Sequence, residues 1–414
     1  MATEFLALKS SGAGTAQVRG YLNATVNTTS DYGAAGSLET YTAGDDNSYN
    51  RVIRFGGGRV LLKFVADTIR RSTTGGKTWT TVHTLSFASK ANVRGRTGFV
   101  VVYGTDGIPR LTAFVIANSD GSIYALTSTT GTSWTETDTG HDETGGAGSP
   151  QAMFLRVRRD QAVLLANTTV AGGKILFFTP ATGITTNVNS GLTGDQRRTY
   201  LIIWDDTVYW LDDLGAGLVL RRESTGIVST VATLDGTNNH AGFYKRLAWV
   251  DPSSNNLIVV SQDNSDVWRA FEVTPAYSVT VRTSSMISTS SLASFGSTAI
   301  CKGVLVDQPA GPASAPAIYM YVANGNAEAT AVSQFKYNGS TSIIGAAGLA
   351  DDTGGNVSHC LVDNIVDGTV FFVDTGDAFI EGTGNGFITS AAVRRKFKAY
   401  AARQQTLATI GGSP

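Results

Sequence analysis

The chain has 414 residues, of which 42% are hydrophobic and 16% charged, with a net charge of -1. That apolar content supports a large buried core. The lack of a basic surplus argues against a protein selected to coat nucleic acid or an anionic membrane.

Residues Met1 to Leu6 hold neither a basic stretch nor a long apolar one, so no secretory signal is expected there. No run approaches the roughly 18 apolar residues of a membrane-spanning helix. Glycine is abundant, at 47 residues, well above the usual share of about 7%. Ser, Thr, Asn and Asp are plentiful and the apolar runs are short. The mix predicts many β-strands joined by tight turns. Cys301 and Cys360 read as buried thiols, with a disulfide between them as the alternative, and no zinc cluster is present.

In chain order, Phe5 to Leu8 predicts a strand. Asn23 to Asp46 is polar and Gly/Ala/Thr-rich and predicts an extended arm, so residues 1–48 form a first segment. A regular texture fills 49–390, where seven units each carry several apolar strands. The first has 60–65, and the second 99–103, 111–116 and 123–126. The third has 153–157, 162–165 and 175–178, and the fourth 200–204, 208–211 and 218–220. The fifth has 247–250, 257–260 and 267–271, and the sixth 303–306, 318–322 and 333–337. The seventh has 360–362, 370–373 and 378–380. Their starts lie roughly 46 to 61 residues apart, the length of a four-stranded antiparallel unit. Six units, or a repeat plus a small extra domain, fit the same pattern. Residues 391–414 form a basic tail: Val393, Phe397, Tyr400 and Leu407 at near-helical spacing predict a short amphipathic helix, with a last strand as its rival.

Two stretches stand out within this repeat. Ser72, Thr74, Gly76 and Trp79 form one, and Thr127, Thr129, Gly131 and Trp134 form the other, about 55 residues later. Both resemble the Asp-box, the S-x-D-x-G-x-T-W turn of the sialidase-like (BNR-repeat) β-propeller superfamily. The resemblance implies an all-β fold, a β-propeller of four-stranded antiparallel blades, with Phe5 to Leu8 as a strand that closes the ring. It also implies that the Gly takes a positive φ and that the Trp packs between sheets. Thr74 and Thr129 stand where the family has Asp, and a Thr hydroxyl closes such a turn more weakly. Boxes of this kind lie at the blade periphery and carry a structural role.

Enzymes of that superfamily clamp a substrate carboxylate with three arginines, because a planar guanidinium binds carboxylate bidentately. Arg54 lies where the first is expected, without the family's proline, and Arg246 begins a predicted strand. These two are the candidate carboxylate-binding residues. Asp67 is the only carboxylate in the loop where the acid is expected, and no spacing singles out Tyr244 or Glu223 for the Tyr/Glu roles. No catalytic set is therefore assigned. Asp138, His141, Asp142 and Glu143 read as a solvated Gly-rich loop, with a cation site as the alternative. Asp263 to Asp266 reads as a turn. His83, His141, His240 and His359 show no metal spacing.

The texture, with few charges and much Gly, Ser, Thr and Ala, resembles that of bacteriophage virion components. It leads to the expectation of a non-enzymatic structural or interaction propeller, tail or tail-associated, assembled in the host cytoplasm. Its expected partners are other virion proteins and further copies of itself. The alternative is a glycan-binding or sialidase-like glycoside hydrolase acting on a cell-surface glycan. No cofactor, metal, nucleic acid or membrane insertion is expected.

Overall fold

The computed structural model describes thirty strands between Thr3 and Asp374 and most connections from residue 67 to 282. Side chains are described, with gaps, from 62 to 282. The strands open with β1 (Thr3–Ser11), β2 (Thr15–Leu22) and β3 (Thr29–Ser30). A first four-stranded sheet has β4 (Ile53–Arg54), β5 (Leu61–Val65), β6 (Thr68–Ser72) and β7 (Thr80–Thr84). The second has β8 (Gly95–Arg96), β9 (Val100–Tyr103), β10 (Pro109–Ile116), β11 (Ser122–Ser128) and β12 (Thr135–Asp142), and both β8 and β9 pair with β10.

The third sheet has β13 (Ala152–Arg158), β14 (Gln161–Asn167), β15 (Lys174–Thr179) and β16 (Ile184–Asn189). The fourth has β17 (Tyr200–Trp204), β18 (Thr207–Asp213), β19 (Leu218–Ser224) and β20 (Ile227–Asp235). The fifth has β21 (Arg246–Val250), β22 (Leu257–Gln262), β23 (Trp268–Val273) and β24 (Val279–Val281). The sixth has β25 (Ala299–Asp307), β26 (Ala317–Asn324), β27 (Val332–Tyr337) and β28 (Ile344–Gly348). Last come β29 (Asn356–Asn364) and β30 (Thr369–Asp374).

From the first sheet to the sixth, strands follow one another in chain order as antiparallel neighbours, except that β8 and β9 both pair with β10. Two-residue turns make this possible where the hairpins are tight. Asp205 and Asp206 join β17 to β18 at φ 47° and 58°, and Thr225 and Gly226 join β19 to β20 at φ 51° and 81°. Paired positive φ values match the right-handed twist of the strands they connect.

Continuous apolar runs arise in the second and third sheets because both of their faces are covered. On β14, Val163 and Leu165 face the fourth sheet, while Ala162, Leu164 and Ala166 face the second. On β15, Ile175 and Phe177 take the first side and Leu176 and Phe178 the other. The period of two along a strand therefore fills two separate cores at once. Aromatic contacts cross these seams: Phe64 stacks on Phe99 at 4.6 Å, and Phe114 meets Phe178 edge-on at 5.8 Å. The first strands of successive sheets lie side by side, β13 against β17, β17 against β21, and β21 against β25.

The remaining sheet joins the two ends of the described chain, in the order β3-β2-β1-β29-β30. β1, which contains Phe5 to Leu8, runs antiparallel to β29, with Phe5 opposite Val362 and Ala7 opposite Cys360. The N-terminal segment thus supplies three strands rather than one, since β2 and β3 extend the sheet outward. The architecture is all-β, built of antiparallel sheets packed face to face as in a β-propeller. Residues 31–52 and 375–414, which carry most of the expected arm and the basic tail, lie outside the described residues.

Candidate functional site

The second box forms a closed turn at the end of β11. Ser128 Oγ accepts the Gly131 N–H at 2.8 Å and the Thr130 N–H at 3.3 Å. Thr130 Oγ1 accepts the Thr132 and Ser133 N–H groups at 3.2 and 3.3 Å. The hydroxyls that close the turn are therefore one residue beyond the expected Thr127 and Thr129. The reason is the strand: Thr127 still pairs with Thr135 in the β11–β12 ladder, and Thr129 is exposed. Gly131 takes φ 74°, and a Cβ there would meet Leu62 Cδ1 at 3.2 Å. Trp134 is buried among Leu62, Phe64, Phe99 and Leu111, and its ring lies 5.5 Å from that of Phe99. The turn locks the second sheet onto the first. In the first box, Ser72 ends β6, while Thr74, Gly76 and Trp79 lie outside the described residues.

The densest polar cluster lies between the fourth and fifth sheets. The connection after β20 carries His240 into the seam, where its ring is fully buried. His240 Nε2 lies 3.3 Å from Asp235 Oδ2, and Nδ1 lies 2.9 Å from Ser261 Oγ. A carboxylate can only accept, so Nε2 carries the proton and Nδ1 accepts from the serine hydroxyl. The His240 N–H donates to Asp213 Oδ2 at 2.9 Å, and its carbonyl accepts from Arg246 Nη2 at 3.2 Å. Arg269 bridges Asp263 at 2.9 Å and Asp235 at 3.5 Å.

Electrostatics follow from this burial. Desolvation opposes ionisation of Asp235, but hydrogen bonds from Asn238 and Thr237 hold its carboxyl well below the usual range. Burial lowers the His240 pKa, and the Arg246 guanidinium lowers it further. Burial raises that of Asp212, against the pull of Arg221, whose Nε is 2.9 Å away.

Asp235, His240 and Ser261 have the residue types of a nucleophilic triad, and the spacing in sequence gave no sign of it. Chemistry of that kind needs a serine that a substrate reaches. Ser261 is fully buried within β22 and His240 fully buried above it, so the set works as a clamp on the connection between two sheets.

Arg246 begins β21, as the sequence suggests, and its side chain is fully buried with Asp213 at 3.6 Å. The carboxylate it meets here is the chain's own. Arg54 ends β4, and its side chain lies outside the described residues. Asp138, His141 and Asp142 sit on β12 rather than in a loop, because the ladder with β11 continues to Ser122 opposite Asp142. Asp138 Oδ1 accepts the Gly140 N–H at 2.8 Å, and Asp142 pairs with Lys174 of the third sheet at 3.3 Å. Glu143 lies outside the described residues. No group able to hold a metal ion occurs among the described residues. Asp263 forms the expected turn, its Oδ1 accepting the Ser265 and Val267 N–H groups at 2.9 Å.

Two further seam contacts had no signal in the sequence. Glu136 of β12 receives His83 Nε2 at 2.7 Å and the Ser86 N–H at 2.8 Å, tying the first sheet to the second. Tyr277 of the β23–β24 turn reaches Tyr209 of β18 and accepts from Arg222 Nη1 at 3.3 Å. Trp204 walls this cluster, its ring 5.4 Å from that of Tyr209.

No protein-family model matches the chain, and no curated protein matches it by sequence. Solved structures align with it at low identity. A putative 6-phosphogluconolactonase from Bacteroides fragilis is 12% identical, with 86% of this chain and 96% of that one covered, at a TM-score of 0.49. Another from Bacteroides uniformis is 11% identical over 85% and 97%, at 0.48. A quinonprotein alcohol dehydrogenase-like protein from Bacteroides thetaiotaomicron is 11% identical over 84% and 75%, at 0.48. These neighbours are β-propellers. Their likeness concerns architecture alone, and fold does not dictate function.

Proposed function

We propose that this chain is a non-enzymatic β-propeller that acts as an interaction module, a rigid body through which other proteins are joined. One observation carries the reading. The described groups best suited to chemistry, Arg246, His240, Ser261, Asp213 and Asp235, are paired with one another in a seam between sheets. They hold the two sheets together. The assembly served is proposed to be a bacteriophage virion, with other virion proteins and further copies of this chain as neighbours. Support for that finer step is the composition, 16% charged and rich in Gly, Ser, Thr and Ala. Kinship with the Asp-box superfamily belongs to the same proposal, supported by the turn at Gly131 and the burial of Trp134.

The test is turnover of a fluorogenic sialoside between about pH 4 and 8, the range over which carboxylate and histidine catalysts titrate. Arg54→Ala serves as the control. No turnover is expected. Turnover that the Arg54→Ala variant abolishes would overturn the reading and make the chain a glycosidase.

A further inference from the structure

Each sheet ends in an outer strand, and an outer strand offers unpaired backbone N–H and C=O groups to any strand that arrives. Natural proteins guard such edges by keeping them short, by charges, by prolines and by bulges. Most outer strands here carry at least one of these guards. β3 has two residues and β24 has three. The pairing of β7, β20 and β28 with their neighbours slips register. β12 also slips, and it bears Glu136, Asp138 and Asp142.

Among the described residues, β16 has none of these guards. Its six residues, Ile-Thr-Thr-Asn-Val-Asn, contain no charge and no proline. They pair with β15 in unbroken register, from Thr179 opposite Ile184 to Lys174 opposite Asn189. Thr186 and Asn187 at its middle are exposed, and Ile184 at its start is 61% exposed. The preceding turn, Pro180 to Gly183, is also uncharged. Lys174, at the far end of the hairpin, is already paired with Asp142.

We infer that β16 pairs antiparallel with β16 of a second copy of this chain, joining two third sheets into one continuous sheet. This deepens the interaction reading above and rests on it. The argument for a second copy is charge. A neutral edge meets its own copy with nothing to repel it, whereas β12 would set like charges opposite one another. An antiparallel pair of identical strands is also the self-complementary contact that a two-fold dimer requires. Pairing would complete the backbone hydrogen bonds of β16 and cover Ile184.

Sedimentation velocity of the full chain over a hundredfold concentration range tests this, with Thr186→Lys and Thr186→Val. Thr186 is exposed, so neither change disturbs the core, and near-ultraviolet circular dichroism confirms the fold of each. Wild type is expected to dimerise. Thr186→Lys should weaken the dimer about tenfold or more, because two lysines then lie near the two-fold axis, while Thr186→Val should not weaken it. A monomeric wild type would overturn the inference. So would a dimer indifferent to Thr186→Lys, which leaves the interaction reading standing through another surface. Sialoside turnover would remove that reading without touching the dimer.

Discussion

The hydroxyl of Tyr277 lies 2.9 Å from that of Tyr209, across the seam between the fifth and fourth sheets. Tyr277 reaches that point from a backbone with φ 63°, a region that favours glycine. Holding a tyrosine there costs about 1 kcal/mol, and the seam contact offsets it. Tyr277→Phe keeps the ring and loses the bonds to Tyr209 and Arg222, so it should cost about 0.5–1.5 kcal/mol. Tyr277→Gly relieves the backbone but loses those same bonds and the contacts of its partly buried ring with Trp204 and Tyr209, aromatic pairs worth about 0.5–1.5 kcal/mol each, so it should be the less stable of the two. Guanidinium unfolding of the three proteins checks the order. A glycine variant more stable than wild type would show that the seam contact contributes little.

Stability should fall between neutral and mildly acidic pH through His240. Burial, and then Arg246, hold its folded pKa below the ordinary 6.5. The folded state therefore takes up its proton less readily than the unfolded chain. The contribution is complete above about 6.5 and is lost as pH falls from there through the folded value. Asp235 acts in a separate window. Its depressed pKa gives stability that is present above the ordinary 3.8 and lost at more acid pH. Melting temperatures from pH 7.5 to 5 should decline in wild type and decline less in His240→Gln. Equal slopes in the two proteins would assign the acid sensitivity to other groups.

Arg246 and Asp213 are both fully buried side chains, 3.6 Å apart. Removing one partner leaves a buried charge uncompensated, at a cost of about 3–5 kcal/mol. Arg246→Met and Asp213→Leu should each destabilise on that scale. The double variant should lose clearly less than the sum, because an apolar pair leaves neither charge stranded. A double-mutant cycle in urea measures the difference, and additive losses would mean that the two groups do not depend on each other.

Much of the fold was legible because strands covered on both faces read as unbroken apolar runs, as at 162–165 and 175–178. The turns were legible where Gly or Thr-Gly had to adopt positive φ, as at Thr225 and Gly226. Apart from the ring-closing strand Phe5 to Leu8, which the family resemblance sets against the last unit and which pairs there with β29, pairing between distant segments did not show. Nothing in β2 or β3 marks them as sheet strands rather than an arm. The cluster around His240 was hidden for the same reason. Asp235, His240 and Ser261 come from a strand end, a connection and the next sheet, and only the packing of two sheets brings them together.

The box turn shows a finer limit and gives a final test. Residues 127–130 are Thr-Ser-Thr-Thr, so four consecutive hydroxyls compete for the same two roles and composition does not choose between them. The strand register chooses, by keeping Thr127 in the ladder and turning Ser128 and Thr130 toward the loop N–H groups. Ser128→Ala should then cost about 1 kcal/mol, since it orphans the buried Gly131 N–H. Thr129→Ala should stay within about 0.5 kcal/mol of wild type, as an exposed side chain does. Gly131→Ala should be the worst of the three. It meets both the positive φ and the Leu62 methyl at 3.2 Å, and Leu62 is held in the core beside Phe64 and Trp134. Chemical denaturation of the three single variants decides the matter. A Thr129→Ala loss as large as that of Ser128→Ala would restore the register in which Thr129 takes the place of the aspartate.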